Sequence, residues 1–329
     1  MSTTPIPPEL RERHERTPAG RKWLSVLPDL IISALARWNL SVDLPAGATP
    51  WHGHWAIVVP VRSGDGTALA LKISHPLEDA ALEPIALDLW GGLGAVELVA
   101  DDRDTSALLL ARLDAGRSLQ TVAMDEAVET WGAIMKSLCI TPDGRPGWAA
   151  LPHVADVAEQ YSDDLPAQWE TLGRPFERWL LEAALEVCQT RGIVGRRSGR
   201  DVLVHTDLHY MNILGRLDAP GYVAIDPQAS IGEAEFAVAP CLWNRILELP
   251  RHNPEAALRA RCDALCAAAG LDAGVATEWA IVREVENALW YLAKPDHEAD
   301  AQRSLWVAAT MAGSAVRGLP AAHQLKPLV

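Results

Sequence analysis

The chain predicts an α+β protein of two lobes, a small β-rich N-terminal lobe and a larger, mostly helical C-terminal lobe. Three observations predict it. At 329 residues the chain exceeds what one small core needs. Its first third holds two short apolar runs, AIVVPV and ALALKI, joined by Arg62-Ser63-Gly64-Asp65-Gly66-Thr67, and Asp-Gly between apolar strands is a strong hairpin signal. Beyond Leu113 the periodicity turns helical, broken once by a polar strand-and-loop segment from Leu203 to Asp226.

In chain order, residues 1–16 are polar and Pro-containing and read as a frayed arm. Trp23, Leu24, Val26, Leu27, Leu30, Ile31, Leu35 and Trp38 recur at helical spacing, with Pro28 as a break or restart. After the hairpin, a helix is expected from about Leu77 to Trp90, then strands AVELVA and SALLLARL around the turn Asp101 to Thr105. The N-terminal lobe is thus expected over residues 1–110, as a helical lead-in, a five-stranded sheet and one helix. A connector at Ala111 to Ala115 is the hinge into a C-terminal lobe over 111–329. There the helices are expected at Val122 to Cys139, Val154 to Tyr161, Pro175 to Thr190, Phe236 to Leu249, Glu255 to Ala269, Ala276 to Leu292 and Gln302 to Val316, with no internal repeat.

Composition narrows the function classes. The balance of 29 basic against 43 acidic residues gives a net charge of −14, which repels nucleic acid and anionic lipid and favours a cationic small molecule in any acidic cleft. Five cysteines at irregular spacing argue against a disulfide framework, and the Cys262/Cys266 pair lacks the further ligands a zinc site needs. The first residues carry no apolar core of a secretory signal, and no run reaches membrane-spanning length without charge or Pro, so a cytoplasmic protein is expected. Monomer and homodimer are both open.

The segment LVHTDLHYMNILGRLDAPGYVAID carries the chemistry. His205, Asp207 and Asn212 form an H-x-D-x-x-x-x-N array, and Asp226 ends the apolar run that follows. Phosphoryl transfer needs one carboxylate near the attacking hydroxyl, plus an amide and a second carboxylate to hold the metal ions that screen the phosphates. Asp207 is the candidate base and Asn212 and Asp226 the candidate ligands of Mg²⁺, which prefers hard oxygens. Lys72, inside the strand ALALKI, is the candidate phosphate-binding cation, and Glu83, one helix later, its ion-pair partner. No G-x-G-x-x-G or P-loop occurs; the hairpin loop at His52-Gly53-His54 could cover phosphates with one glycine. No D-F-G with an activation segment and A-P-E follows Asp226, which argues against protein-kinase activity.

These residues, with LEPIALDLWGGLGAVELVADD, ALLLARLDAGRSL, APCLWNRI and REVENALWYL, resemble the aminoglycoside phosphotransferases, and among them the streptomycin kinase and hydroxyurea-resistance kinase branch, from about Gly20 to Leu292. The resemblance implies a protein-kinase-like fold, ATP or GTP with Mg²⁺, and γ-phosphate transfer to a hydroxyl of a small antibiotic. It implies Asp207 as base, Asn212 and Asp226 as metal ligands, Lys72 on phosphate, Glu83 orienting Lys72, and the backbone near Ala111 and Leu113 at the nucleotide base, with His205 in the nucleotide-binding set. Thr206, Gln228 and Cys139 depart from the branch, where Gly, Lys and His are usual, and leave the acceptor open. For a cationic acceptor the carboxylates expected to face the cleft are Glu233, Glu235, Glu284 and Glu286, with only one of the last two inward, since residues two apart on a helix point in different directions. The competing functions are a kinase of a sugar or amino-alcohol metabolite and a catalytically dead ligand-binding homologue.

Overall fold

A computed structural model describes residues 4–76, 81–195 and 199–327. The chain divides into two compact units, one of residues 1–116 with 214–223 and one of 117–213 with 224–329.

The first unit begins with helices α1 (Pro8–Glu15) and α2 (Pro18–Arg37). The expected frayed arm is therefore a helix. Leu10 and His14, one turn apart, are its buried stripe, and two such positions in eight residues give no readable periodicity. Proline starts both helices, where its missing N–H costs nothing, and Thr17 caps α2 by accepting from the Gly20 N–H at 3.0 Å. Helix α2 runs unbroken through Pro28, against the expected break, because Trp23, Leu24, Leu27, Ile31 and Ala34 all bury on one face.

The sheet that α2 covers holds β1 (Leu40–Val42), β2 (Trp51–His52), β3 (Ala56–Ser63), β4 (Ala68–Ser74), β5 (Leu98–Asp102) and β6 (Ala107–Ala111), in order β1-β3-β4-β6-β5 with β2 also on β3. It has six strands among the described residues, against five expected; β1 and β2 are three and two residues long, too short to show alternation. Ile57, Val59, Val61, Leu69, Leu71, Ile73 and Leu109 form one face and pack with α2 into the core. The opposite face carries Val58, Lys72 and Leu108 in one cross-strand row. Helix α3 (Glu83–Trp90) follows, closed by Gly91 in the left-handed region at φ +55°; residues 77–80, where its start was expected, lie outside the described residues. The chain leaves through β7 (Leu113–Ser118).

The second unit is built from α4 (Met124–Leu138), α5 (Val154–Thr171), α6 (Arg178–Gly195), α7 (Ala239–Trp243), α8 (Pro254–Ala269), α9 (Ala273–Leu292) and α10 (Glu298–Met311). Between α6 and α7 lie β8 (Val202–His205), β9 (Ile213–Arg216), β10 (Tyr222–Ala224) and β11 (Ala229–Gly232); residues 214–223, which hold most of β9 and β10, belong to the first unit. β8 pairs with β11, placing Ala229 opposite His205, and β9 and β10 form a sheet with β7 in order β10-β9-β7. Helix α10 starts four residues before the expected Gln302 and ends five before Val316, and two other expected helices differ more. Helix α5 continues through Pro166 well past Tyr161. The segment Phe236 to Leu249 is broken into the short α7 and single 3-10 turns, because Asn244 turns extended and Arg245 takes φ +55°. Among the described residues no helix is long and apolar enough to cross a membrane.

Helix α9 is the spine of this unit, burying Val275, Trp279, Val282, Val285 and Leu289. Helices α4 and α8 meet closely at Gly132, where an added Cβ would stand 2.6 Å from the Ala268 backbone carbon and Cβ. Gly132→Val should therefore destabilise the protein by about 1–3 kcal/mol through forced separation of these helices, read as a lowered denaturation midpoint, whereas a cost below a few tenths would show that the helices slide freely.

Candidate functional site

In the first unit the β4 strand holds Lys72 where an ordinary strand would place an apolar side chain. Its ammonium donates to both carboxylate oxygens of Glu83, at 2.7 and 2.6 Å, with the two side chains 8% and 6% exposed. A pair this enclosed, on the first turn of α3, fixes the ammonium on the sheet face that also shows Val58, directly across from it, and Trp51 beyond. Trp51 is 40% exposed and lines a recess of about 560 Å³ with Pro45, Pro60, Asp43 and Arg112.

The connector is anchored from this unit by a residue that sequence reasoning passed over. Arg112 donates to the Leu69 and Val61 carbonyls at 2.9 Å each and to Asp43 at 2.7 Å. Ala111 uses its N–H on the Glu97 carbonyl at 3.0 Å, and Leu113 opens β7. The only signal was a lone Arg between apolar neighbours in ALLLARL.

The second unit gathers His205, Asp207, Asn212 and Asp226. The Asn212 amide nitrogen donates to the Asp207 carbonyl at 3.0 Å and to its Oδ2 at 3.3 Å. Because the nitrogen is spent on Asp207, the amide oxygen is the end left for a hard cation. The backbone carbonyl of Asn212 accepts from the Ile225 N–H at 2.9 Å, which ties the residue before Asp226 to the same turn. Asp226 itself is exposed and left-handed at φ +57°, an arrangement that costs a non-glycine residue about 1 kcal/mol or more and that the flanking bonds hold in place. A carboxylate and an amide oxygen fit Mg²⁺, which keeps several waters and phosphate oxygens in its own shell and asks few ligands of the protein.

His205 does not reach outward as a nucleotide-binding residue would; it is 0% exposed. Its Nδ1 accepts from the Asp207 N–H at 3.3 Å and its Nε2 meets the Ile225 carbonyl at 3.0 Å, so the neutral ring with the proton on Nε2 satisfies both contacts. Burial pushes its pKa down and keeps it neutral. Thr206, beside it, spends both its N–H and its hydroxyl on the Gln228 carbonyl, each at 2.8 Å. The loop is backed by Trp131, whose indole N–H donates to the Leu208 carbonyl at 2.9 Å. Burial raises the Asp207 carboxyl to about 6, opposed by the Arg283 charge and the Asn212 hydrogen bond. The Cys139 thiol is raised to about 11 by burial and stays protonated.

The four expected substrate carboxylates do not share one fate. Glu233 is 1% exposed and occupied by the Arg191 guanidinium at 3.3 Å and the Trp279 indole at 2.9 Å. Glu235 is 6% exposed and accepts from the Asp272 N–H at 3.1 Å, pinning the start of α9. Both are internal fasteners, since the short turns after β11 bury them. Glu284 is fully buried, its pKa pushed up to about 8 by desolvation, with the Ser304 hydroxyl, Arg283 and Arg303 opposing. Glu286 is half-buried, its pKa raised by burial and pulled back by Arg283 and Lys294.

Two expected outcomes follow from the buried charges. Removing one partner of the Lys72–Glu83 pair strands the other, so Glu83→Leu should cost about 3–5 kcal/mol in urea unfolding and Lys72→Met/Glu83→Leu together much less; equal losses would mean that the pair carries no coupling. Glu284 binds its proton more tightly folded than unfolded, so its contribution is intact below the ordinary carboxylate value of 4.5 and fades as pH rises toward 8. Glu284→Gln should flatten the stability curve across that window, by up to about 1.4 kcal/mol per pH unit, and parallel curves for the two proteins would refute the assignment.

The family model described as aminoglycoside/hydroxyurea antibiotic resistance kinase matches residues 37–294. The streptomycin 6-kinase of Streptomyces griseus is 33% identical over 87% of this chain and 90% of its own length. The hydroxyurea phosphotransferase of Kitasatospora aureofaciens is 34% identical over 87% of this chain and 79% of its own. Among solved structures, the macrolide 2'-phosphotransferase of Brachybacterium faecium shares the fold with TM-score 0.56 at 18% identity, covering 86% of this chain and 98% of that one. The fold is that of the two-lobed, protein-kinase-like phosphotransferases, and the chain belongs to the aminoglycoside/hydroxyurea antibiotic resistance kinase family.

Proposed function

We propose that this phosphotransferase moves the γ-phosphoryl group of ATP, or GTP, with Mg²⁺, to a hydroxyl of a small cationic antibiotic, an aminoglycoside such as streptomycin being the first acceptor to test, and so inactivates it. The observation that carries the reading is the Asp207–Asn212 contact. It gives one carboxylate two distinct oxygens. Oδ2 is engaged by the amide, and Oδ1 is assigned to the acceptor hydroxyl, whose proton it takes as the oxygen attacks phosphorus.

The remaining roles follow from where each group is held. Asn212 through its amide oxygen and Asp226 through its carboxylate would hold Mg²⁺, which when bound screens the phosphate charge. Lys72, kept in place by Glu83, meets phosphate oxygens, and the backbone at Ala111 and Leu113 meets the base of the nucleotide. Of the four carboxylates, Glu286 alone is half-exposed, and it is assigned to the acceptor's positive charge. The first unit is the nucleotide-binding lobe and the second the catalytic and acceptor-binding lobe. Nucleotide consumption and five free thiols suit the cytoplasm.

Incubation with MgATP and a panel of aminoglycosides, hydroxyurea and amino-alcohols, followed by product mass, tests the reading. One added phosphoryl group on an antibiotic is the expected result, with Asp207→Ala reducing turnover by about a thousandfold or more. Product on an amino-alcohol alone would make it a metabolite kinase, and no product on any acceptor would overturn it.

A further inference from the structure

We infer that Arg283 is a positioning residue for phosphoryl transfer, bolting the peptide that carries Asp207 to helix α9 and, through Thr206, to the turn after Asp226. The inference rests on the kinase reading above and deepens it.

Arg283 lies near the middle of α9, whose other face is buried along much of its length. Its Nη1 donates to the carbonyl of Thr206, the acceptor half of the peptide bond whose nitrogen belongs to Asp207, and to the Phe236 carbonyl at 3.2 Å. The guanidinium lies over the Phe236 ring at 4.5 Å, and that ring abuts Trp279 of the same helix at 5.0 Å. A planar cation stacked on one aromatic and donating to two carbonyls has little freedom to rotate.

The other side of the Thr206 peptide is equally committed. Its N–H and hydroxyl both donate to the Gln228 carbonyl at 2.8 Å, two residues after Asp226. A glycine at 206 would keep the first of these bonds and lose the second. The chain therefore carries Thr where the hydroxyl adds a tie between the base and the metal-ligand turn, and it carries Arg where a second tie reaches α9. Neither group touches a reacting atom; both fix where Asp207 stands, and an error of about 1 Å there is worth roughly a hundredfold in rate.

Hydrogen exchange on the full-length apo protein reads the bolt without a substrate. In Arg283→Met the peptide covering residues 203–212, with the Asp207, His209 and Asn212 amides bonded inside the loop, should exchange about tenfold faster than in the parent while α8 and α10 keep their protection. Arg283→Lys should recover part of it, and Thr206→Gly should raise exchange in the same peptide. In assays with MgATP and streptomycin, Arg283→Met should lose roughly a hundredfold in kcat with both KM values within about threefold of the parent, and added methylguanidine should restore part of kcat. Unchanged exchange in 203–212, or loss of protection spread through α8 and α10, overturns the inference. If Arg283→Met does not fold, unchanged exchange in Thr206→Gly overturns it alone. A parent enzyme inactive toward streptomycin counts against that acceptor, while the exchange data still decide the role of Arg283.

Discussion

His205 has no exposed surface, and an imidazole with two nitrogens buried away from water must find a partner for each or cost the fold on the order of 1–3 kcal/mol per missing bond. The partners it finds are the Asp207 N–H and the Ile225 carbonyl, one on the loop after β8 and one beside Asp226. Satisfying one buried ring therefore sets the distance between Asp207 and the turn that carries Asp226. The pairing of β8 with β11, the Thr206–Gln228 contacts and the Asn212–Ile225 bond repeat the same constraint from neighbouring residues. A left-handed, exposed Asp226 is tolerable only because both of its flanks are held in this way.

The first unit solves a related problem by opposite means. It buries a full charge pair, Lys72 with Glu83, at exposures below a tenth. Desolvating two ions gains little or nothing in stability over a hydrophobic pair, so the arrangement is poor value unless the ammonium has another task. The row Trp51, Val58, Lys72 and Leu108 combines a cation with apolar surface on one sheet face. That combination suits a ligand with a charged end and a flat apolar end, which describes a nucleoside triphosphate.

The residues proposed for the chemistry were legible because chemistry restricts residue type and spacing: Asp207, Asn212, Asp226, Lys72 and Glu83 stand out against apolar neighbours. The residues that position them were not. Thr206 was visible only as a departure from a family pattern, and Arg112 and Arg283 act through backbone carbonyls, which any sequence supplies, so nothing near them announces the partner. His205 was visible but its direction was not, since an array cannot tell a ring facing a ligand from one facing its own loop. In the fold, α1 went unread because two buried side chains make no period. Pro28 and Pro166 sit inside continuous helices because a long buried face outweighs one missing hydrogen bond and one ring clash.

Net charge was the weakest guide to the acceptor, and the structure explains why. An acidic chain of −14 spreads most of its carboxylates over the solvent surface, where water and salt screen them beyond about 10 Å. Of the acids that sequence position favoured, Glu233 and Glu235 are consumed by Arg191, Trp279 and the Asp272 amide, and Glu284 is held neutral by burial near pH 7. What remains is Glu286, on the same helix as Arg283 and close enough to Tyr161 of α5 that its charge helps raise the phenol. Under the assignment proposed for Glu286, one half-buried acid beside the Arg283 guanidinium would hold a single positive group of the acceptor at a defined distance. Selectivity among acceptors would then rest on the shape of the surface around that single charge, since a lone carboxylate distinguishes one ammonium from another only by where it can be placed.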